Sequence, residues 1–270
     1  MRGVRGIAAA VALAVAGVGS AAPPVGAQTL TFLTESLPPF NYGSRADVQG
    51  PSRAIISAVC GQIEADCRFE LLPKKRMMHR ARAGRADGLF SLGKNTERME
   101  WMYFSRPLLR TAYGFFVAEG DDLRYRAPAD LAGYRVVTYG PSNMAKSLRG
   151  LVEAEQPGVA GITIDTELRL SFRKLAGGRY GDTAAVYSNR DVGRYILQDE
   201  GIDGVRYAGE QRGLHYYVGF PKKAVSRTLV RRFNDALVGL HKSGRLAEIL
   251  GDYGLQPPKA ARMRRGEGRS

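Results

Sequence analysis

Gly84-Arg85-Ala86-Asp87-Gly88-Leu89-Phe90-Ser91-Leu92-Gly93-Lys94-Asn95-Thr96-Glu97-Arg98-Met99-Glu100-Trp101-Met102-Tyr103-Phe104-Ser105-Arg106-Pro107-Leu108-Leu109 is the stretch on which the reading of this chain turns. It opens on a Gly turn, runs through a short apolar segment that predicts a buried strand from Gly88 to Ser91, and enters a polar turn ending in Thr96-Glu97-Arg98. An Arg is thereby delivered to the carboxyl end of a strand. Open α/β sheets bind ligands in the crevice outside those ends, and a guanidinium is a planar fork that matches a carboxylate with two parallel hydrogen bonds. Arg98 is the first candidate ligand contact, with Ser91 at the strand end and Asn95 in the turn beside it. The competing reading of Arg98 is a solvated helix-cap charge, which is what most surface cations are.

Working outward, residues 1–27 predict a cleaved export signal. Arg2 and Arg5 form a positive start, Ile7 to Val18 an apolar run, and Val25-Gly26-Ala27 a small-residue cleavage site. The apolar run is shorter than the roughly 20 residues that span a bilayer, and no Cys stands near the cleavage site to carry a lipid. A periplasmic protein cleaved near Ala27 is expected. The remainder, from Gln28, is long enough for two lobes with separate cores.

The 40 Lys+Arg against 26 Asp+Glu give a formal charge of +14. Export argues against nucleic acid as the partner, and the aromatics are not interleaved with basic stripes, so the charge reads as an attraction to anionic ligands or surfaces. Cys60 and Cys67 are the only cysteines; an even count in an oxidising compartment predicts a disulfide between them. His79, His215 and His241 are scattered and offer no metal-ligand spacing, and no phosphate loop, dinucleotide fingerprint or nucleophile elbow occurs, so neither metal nor cofactor is expected.

The alternating Thr29-Leu30-Thr31-Phe32-Leu33-Thr34 predicts a strand. Pro38 and Pro39 end it, exposing Glu35, Leu37 and Phe40 or Tyr42 at a loop tip, where Phe40 is both a contact candidate and a core candidate. Pro51 starts a helix with Ala54, Ile55, Ala58, Val59 and Ile63 on its apolar stripe. Arg68 to Leu72 is a strand, and Lys74-Lys75-Arg76 then heads a second helix; Lys74 and Arg76 stand at the same strand-end edge as Arg98. Tyr113 to Val117 and Tyr134 to Thr138 are strands. Tyr139-Gly140-Pro141-Ser142-Asn143 is a strand-to-helix turn whose backbone N–H groups attract anions, so Ser142 and Asn143 face a ligand carboxylate or simply cap the helix. Two further strand–helix units follow, then a strand from His215 to Phe220 and an amphipathic helix from Ala224 to Lys242. The polar, basic, Gly-rich residues 257–270 are expected to be disordered.

Asp87-Gly88, Arg98 and Phe104-Ser105-Arg106-Pro107 together resemble the signature of the family 3 extracellular solute-binding proteins, the polar amino-acid receptors of bacterial ABC importers. Pro128-Ala129-Asp130-Leu131-Ala132-Gly133 with the following strand resembles the start of that family's second lobe, and the Cys60–Cys67 spacing is similar to a disulfide in several members. The resemblance covers roughly Leu30 to Leu255. It implies a two-lobed α/β fold of the type II periplasmic-binding class with a ligand cleft between the lobes. Residues 28–112 and 214–256 would form one lobe and 113–213 the other, with hinges near Tyr113 and Leu214. It further implies that Arg98 holds a ligand carboxylate, that Asn95 occupies the place of a usual Thr, and that Leu37 replaces a usual aromatic.

Asn189 falls where the family usually places an Asp for the ligand's ammonium, which points away from an ordinary α-amino acid unless Asp191 or Asp182 substitutes. The expected function is a monomeric, non-enzymatic receptor that takes an amino acid or related small carboxylate to an ABC permease. The alternatives are a sensor or binding module without a permease, or a cyclohexadienyl-dehydratase-like enzyme using Glu35 or His79 as its acid.

Overall fold

A computed structural model describes residues 28–264. The export signal read in residues 1–27 and the last six residues lie outside the described residues. In chain order the elements are β1 (Thr29–Thr34), β2 (Tyr42–Gly43), β3 (Val48–Gln49), α1 (Pro51–Gln62), β4 (Asp66–Leu71), α2 (Lys74–Arg82), β5 (Gly88–Leu92), α3 (Thr96–Trp101), β6 (Met102–Phe104) and β7 (Leu109–Ala118). There follow β8 (Arg135–Tyr139), α4 (Asn143–Glu155), β9 (Gly161–Asp165), α5 (Leu168–Ala176), β10 (Ala184–Asn189), α6 (Arg190–Asp199), β11 (Val205–Pro221), α7 (Arg227–Lys242), α8 (Arg245–Gly251) and α9 (Ala260–Arg264).

Nine strands form one sheet in the order β4-β1-β5-β11-β7-β10-β8-β9, with β6 also paired to β11. Its two flanks, β4-β1-β5 and β10-β8-β9, are parallel and fed by helical crossovers. Between them β7 and β11 run antiparallel, Tyr113 opposite Arg212 and Leu214 opposite Thr111. β11 is 17 residues long and serves both flanks, so the His215–Phe220 strand read from sequence is only its second half. At the crossing the backbones approach closely. A Cβ built on Gly114 would collide with the Gly209 carbonyl, so the position admits only glycine without a shift.

Two cores flank this pair. One gathers Leu30, Phe32, Ile55, Val59, Phe90, Val218, Phe220, Phe233 and Leu237 from both ends of the described chain. A smaller cluster around Leu33, Met77, Leu89 and Phe104 lies on the other face of the same strands. The second core takes Phe115, Phe116, Val136, Val137, Leu148, Phe172 and Tyr187 from the middle of the chain. Each strand of the flanks is covered by helices whose apolar stripes supply these residues, as parallel sheets require. Cys60 and Cys67 are joined, tying the end of α1 to β4 with Cα atoms 6.2 Å apart. Closing so short a loop contributes about 2.5 kcal/mol in the chain-entropy account.

Within the tail read as disordered, the described residues 257–264 depart from that reading. Residues 260–264 are helical and Met263 is 2% exposed, seated in the first core. Gln256 bonds the backbone of Arg110 on β7, and His241 Nε2 lies 3.1 Å from the Pro258 carbonyl. Composition marks this stretch as disordered because it scores the average residue. One well-placed methionine and a few backbone bonds are sufficient to order it locally.

Candidate functional site

The chain leaves β1 through residues 35–41, where two prolines forbid further pairing and Leu37 bridges back to Asn41. This fold-back sets the loop against the crossing strands. Phe40 is fully buried and packs edge-on against Tyr216 of β11, ring centroids 5.0 Å apart. Asn189 Nδ2, at the end of β10, donates to the Tyr216 hydroxyl at 3.4 Å, and Thr111 of β7 donates to Asn189 Oδ1 at 3.0 Å. A first-core loop, both crossing strands and a second-core strand end therefore meet around Tyr216.

Tyr139, at the end of β8, belongs to the same group. Burial raises its pKa, and the charge of Glu35 raises it further. Burial also raises Tyr113, against a smaller opposing effect of Arg212, whose guanidinium carbon lies 5.7 Å from the Tyr113 ring centroid. Tyr216 is raised chiefly by burial, with Tyr113 and Tyr139 adding to it. All three phenols thus stay protonated through the neutral range and can donate hydrogen bonds to an anion. Glu35, 30% exposed, pairs with Lys74 Nζ at 3.1 Å, and Lys74 is 55% exposed. An ion pair this open to water contributes about 0–1 kcal/mol, so an incoming ligand displaces it at little cost.

Of the groups on the second core that could meet a ligand ammonium, Asn189 and Asp191 are already engaged. Asn189 is 2% exposed and caps α6, its Oδ1 accepting from the backbone N–H groups of Asp191 and Val192 at 3.0 and 3.2 Å. Asp191 is buried and held by Arg190 at 2.9 and 3.1 Å. Burial works against the Arg190 charge, but the bonds to Asp191 outweigh it and hold that pKa above its ordinary value. Asp182 is exposed in the turn before β10.

On the first core, Ser91 is buried with φ 58°, a left-handed conformation that costs a non-glycine residue energy. It is held there by bonds to Asn41 Oδ1 and to Ser52 Oγ, the latter at 2.9 Å, while Asn41 Nδ2 donates to Thr34 Oγ1 at 2.8 Å. Ser91 thus underpins the 35–41 loop instead of pointing a free hydroxyl outward. Asn95 caps α3 by accepting from Arg98 N at 2.9 Å, and Arg98 Nη1 donates to the Gly93 carbonyl at 2.7 Å. Arg98 is half-buried and, among the described residues, has no acidic partner. Arg76 is exposed on the first turn of α2. Ser142 caps α4, accepting from Ala145 N at 3.0 Å and donating to the Tyr139 carbonyl at 2.7 Å, and Asn143 is the exposed first residue of that helix.

The structure therefore brings Phe40 and Asn189 together at Tyr216, pairs Glu35, at the start of the same loop as Phe40, with Lys74, and sets Ser142 against the Tyr139 carbonyl. It leaves Arg98, Asn95 and Arg76 on the strand-end edge with no contact to that group. Phe40 serves the core, and the Asn189 oxygen is committed to capping. The sequence reading took Tyr113 as a hinge position, Tyr139 as part of a strand-to-helix turn and Tyr216 as part of a strand, and named none of them as a contact. Their position at the crossing becomes visible only once the register of β7 and β11 is known.

Two α/β cores joined by a pair of crossing strands define a type II periplasmic-binding fold. The model of the bacterial extracellular solute-binding proteins, family 3, matches residues 30–256, and the chain belongs to this family. Among solved structures it is similar to a probable amino-acid ABC transporter extracellular-binding protein from Bacillus subtilis, with 19% identity over 84% of this chain and 97% of that one and a TM-score of 0.73. An ancestral arginine-binding protein bound to arginine gives 21% identity over 84% and 99% and a TM-score of 0.64. A histidine kinase sensor domain with similarity to periplasmic binding proteins gives 18% over 86% and 99% and a TM-score of 0.66. No curated protein matches the sequence. At these identities the structural likeness establishes the fold, and the family is one mainly of non-enzymatic binding proteins.

Proposed function

We propose that the protein is a periplasmic receptor that captures a small carboxylate between its two cores and delivers it to an ABC permease. The observation that carries this reading is the meeting, at the crossing of β7 and β11, of groups from both cores around Tyr216, where Phe40 of one core packs on its ring and Asn189 of the other bonds its hydroxyl. In this reading Arg98 takes a ligand carboxylate from the first core, and the phenols of Tyr139 and Tyr113 donate to the ligand from the second. The N-terminus of α4, capped by Ser142 beside Tyr139, adds a partial positive charge there. Closure about the crossing strands then presents a ligand-dependent surface, provided the ligand binds the closed state better than the open one. Signal, periplasmic location and permease partner all belong to this proposal, as does the division into lobes at 113 and 213.

The ligand class follows from the charges. Asn189 carries no charge and Asp191 is held by Arg190, so neither offers a free carboxylate for an α-ammonium; among the described residues Asp182, exposed before β10, is in no ion pair, and Glu35 is paired with the exposed Lys74. A carboxylate without an obligatory α-ammonium is the class that fits. A sensor role without a permease is the second reading, favoured by the likeness to a kinase sensor domain over 86% of the chain.

Mass spectrometry of small molecules released by denaturing protein purified from its native host tests the proposal. It should find a stoichiometric acid. Calorimetry should then reproduce its binding, and an acid that the refolded protein does not rebind would refute the receptor reading.

A further inference from the structure

Arg110 stands at the first-core end of β7 and is held there by the tail of the described chain. Its backbone N–H donates to the Gln256 carbonyl at 3.0 Å, and its Nη1 donates to Gln256 Oε1 at 3.0 Å. The tail is itself fixed to the first core, through the Pro258 carbonyl beside His241 Nε2 and through the buried Met263. The other arm of the same guanidinium reaches away from this anchor. Arg110 Nη2 donates to both carboxylate oxygens of Glu210, at 2.8 and 2.9 Å.

Glu210 lies beyond an irregularity of the partner strand. In β11, residues 213–216 pair with residues 109–112 of β7, whereas Glu210 pairs with Gly114, and the register slips between Glu210 and Arg212. An extra residue of this kind bends a strand and sharpens its twist. The ion pair therefore spans the bend, with Arg110 on the first-core half of the crossing and Glu210 on the second-core half. Gly213, between the two, makes room for it. A Cβ there would stand 3.1 Å from Glu210 Oε1 and 3.7 Å from Arg110 Nη2, and the backbone of Gly213 is not left-handed, so the close approach is what calls for a glycine. The two side chains are 23% and 34% exposed, so water competes with the pair less than it does at an open surface.

We propose that Arg110 and Glu210 form a latch across the bend, one that favours the angle between the two cores seen in this structure. Turning one core against the other about the slip moves Glu210 relative to an Arg110 that Gln256 keeps in place, and hydrogen bonds weaken steeply when misaligned. The latch rests on the reading of two cores that turn about the crossing strands. It needs no contact with a ligand, because it acts on the balance between angles that a ligand then shifts.

Double electron–electron resonance between spin labels on Lys75→Cys in α2 and Arg149→Cys in α4, both exposed positions, tests this without any ligand. The two native cysteines are joined to each other, so labels attach only to the introduced ones. Relative to this labelled parent, Glu210→Gln should change the ratio of the main distance population to the others about two- to fivefold, which corresponds to about 0.4–1 kcal/mol for a partly exposed pair. Arg110→Gln should do the same. Sodium chloride at about 1 M should move the parent in that direction and leave Glu210→Gln where it is. The exchanged variant Arg110→Glu/Glu210→Arg should return toward the parent distribution. Identical distributions in the parent and in folded Glu210→Gln would overturn the proposal, and so would an exchanged variant that behaves like the single ones. Rebinding of the co-purified acid, measured separately, tells failure of the latch from failure of the receptor reading.

Discussion

Arg98 shows how one side chain is prepared for a ligand. Its backbone N–H is capped by Asn95 and one arm of its guanidinium is fixed by Gly93, so the fork is oriented before anything binds, yet no acid neutralises it among the described residues. A half-buried, uncompensated cation is the state that an anion relieves. With the acid identified by mass spectrometry as titrant, Arg98→Ala should weaken calorimetric binding by about 2–4 kcal/mol, or roughly 30- to 800-fold. Arg98→Lys should restore little, because an ammonium does not reproduce two parallel bonds. Unchanged affinity in a folded Arg98→Ala protein would make this residue a surface charge.

Asn189 works differently: its oxygen caps α6 and also anchors Thr111 of β7. Asn189→Ala should lower stability to urea by about 1–2 kcal/mol through the lost cap. Asn189→Asp should lose much less, because a carboxylate also caps and suits a helix N-terminus. Equal losses in the two variants would remove capping as the role of this side chain.

Among the elements, the short terminal helix α9 is the one that composition did not foresee. Its hold on the molecule is Met263 in the first core and the backbone bond between Gln256 and Arg110. Met263→Ala should therefore destabilise the protein by about 2 kcal/mol, the lower end for large-to-small core changes, since a chain end can relax into the space left. Chemical denaturation measures this directly, and a change within error would mean that the helix packs without contributing to stability. The loop between β1 and β2 is the opposite case. Its two prolines were legible as an exit from the sheet, but its seating on Tyr216 depends on a strand some 180 positions away, estimated from the numbering.

At the scale of the whole molecule, the crossing strands join the two cores, and His215 sits on one of them opposite Arg110. Burial lowers its pKa, and Arg262 and Arg110 lower it further; Tyr217 is its aromatic neighbour at 6.4 Å. The folded state therefore keeps His215 neutral, while the unfolded chain takes up a proton near the ordinary value of 6.5. The unfolded state binds more protons in that window, so stability is fully present above about pH 6.5 and falls as the pH drops below it. Thermal melts between about pH 7.5 and 5 should show this slope in the wild type and a shallower one in His215→Gln. Parallel slopes would place the acid sensitivity elsewhere.

The amino-acid sequence by itself determined the α/β class, the strand-and-helix alternation of both flanks, the family signature around Asp87 and Arg98, and the cysteine pair. Those features rest on local periodicity, turn chemistry and short spacings, which neighbouring residues carry among themselves. Only the tertiary structure decided which polar side chains are free to meet a ligand. Asp191 reads as an available acid until Arg190 is seen on it, and Asn189 as a ligand amide until the α6 N–H groups and Thr111 claim its oxygen. Ser91 reads as a free hydroxyl until Asn41 and Ser52 are found beside it. A side chain's partners come mostly from distant segments brought together by packing, and hydrogen-bonding capacity is finite. The availability of each group is therefore a property of the folded whole.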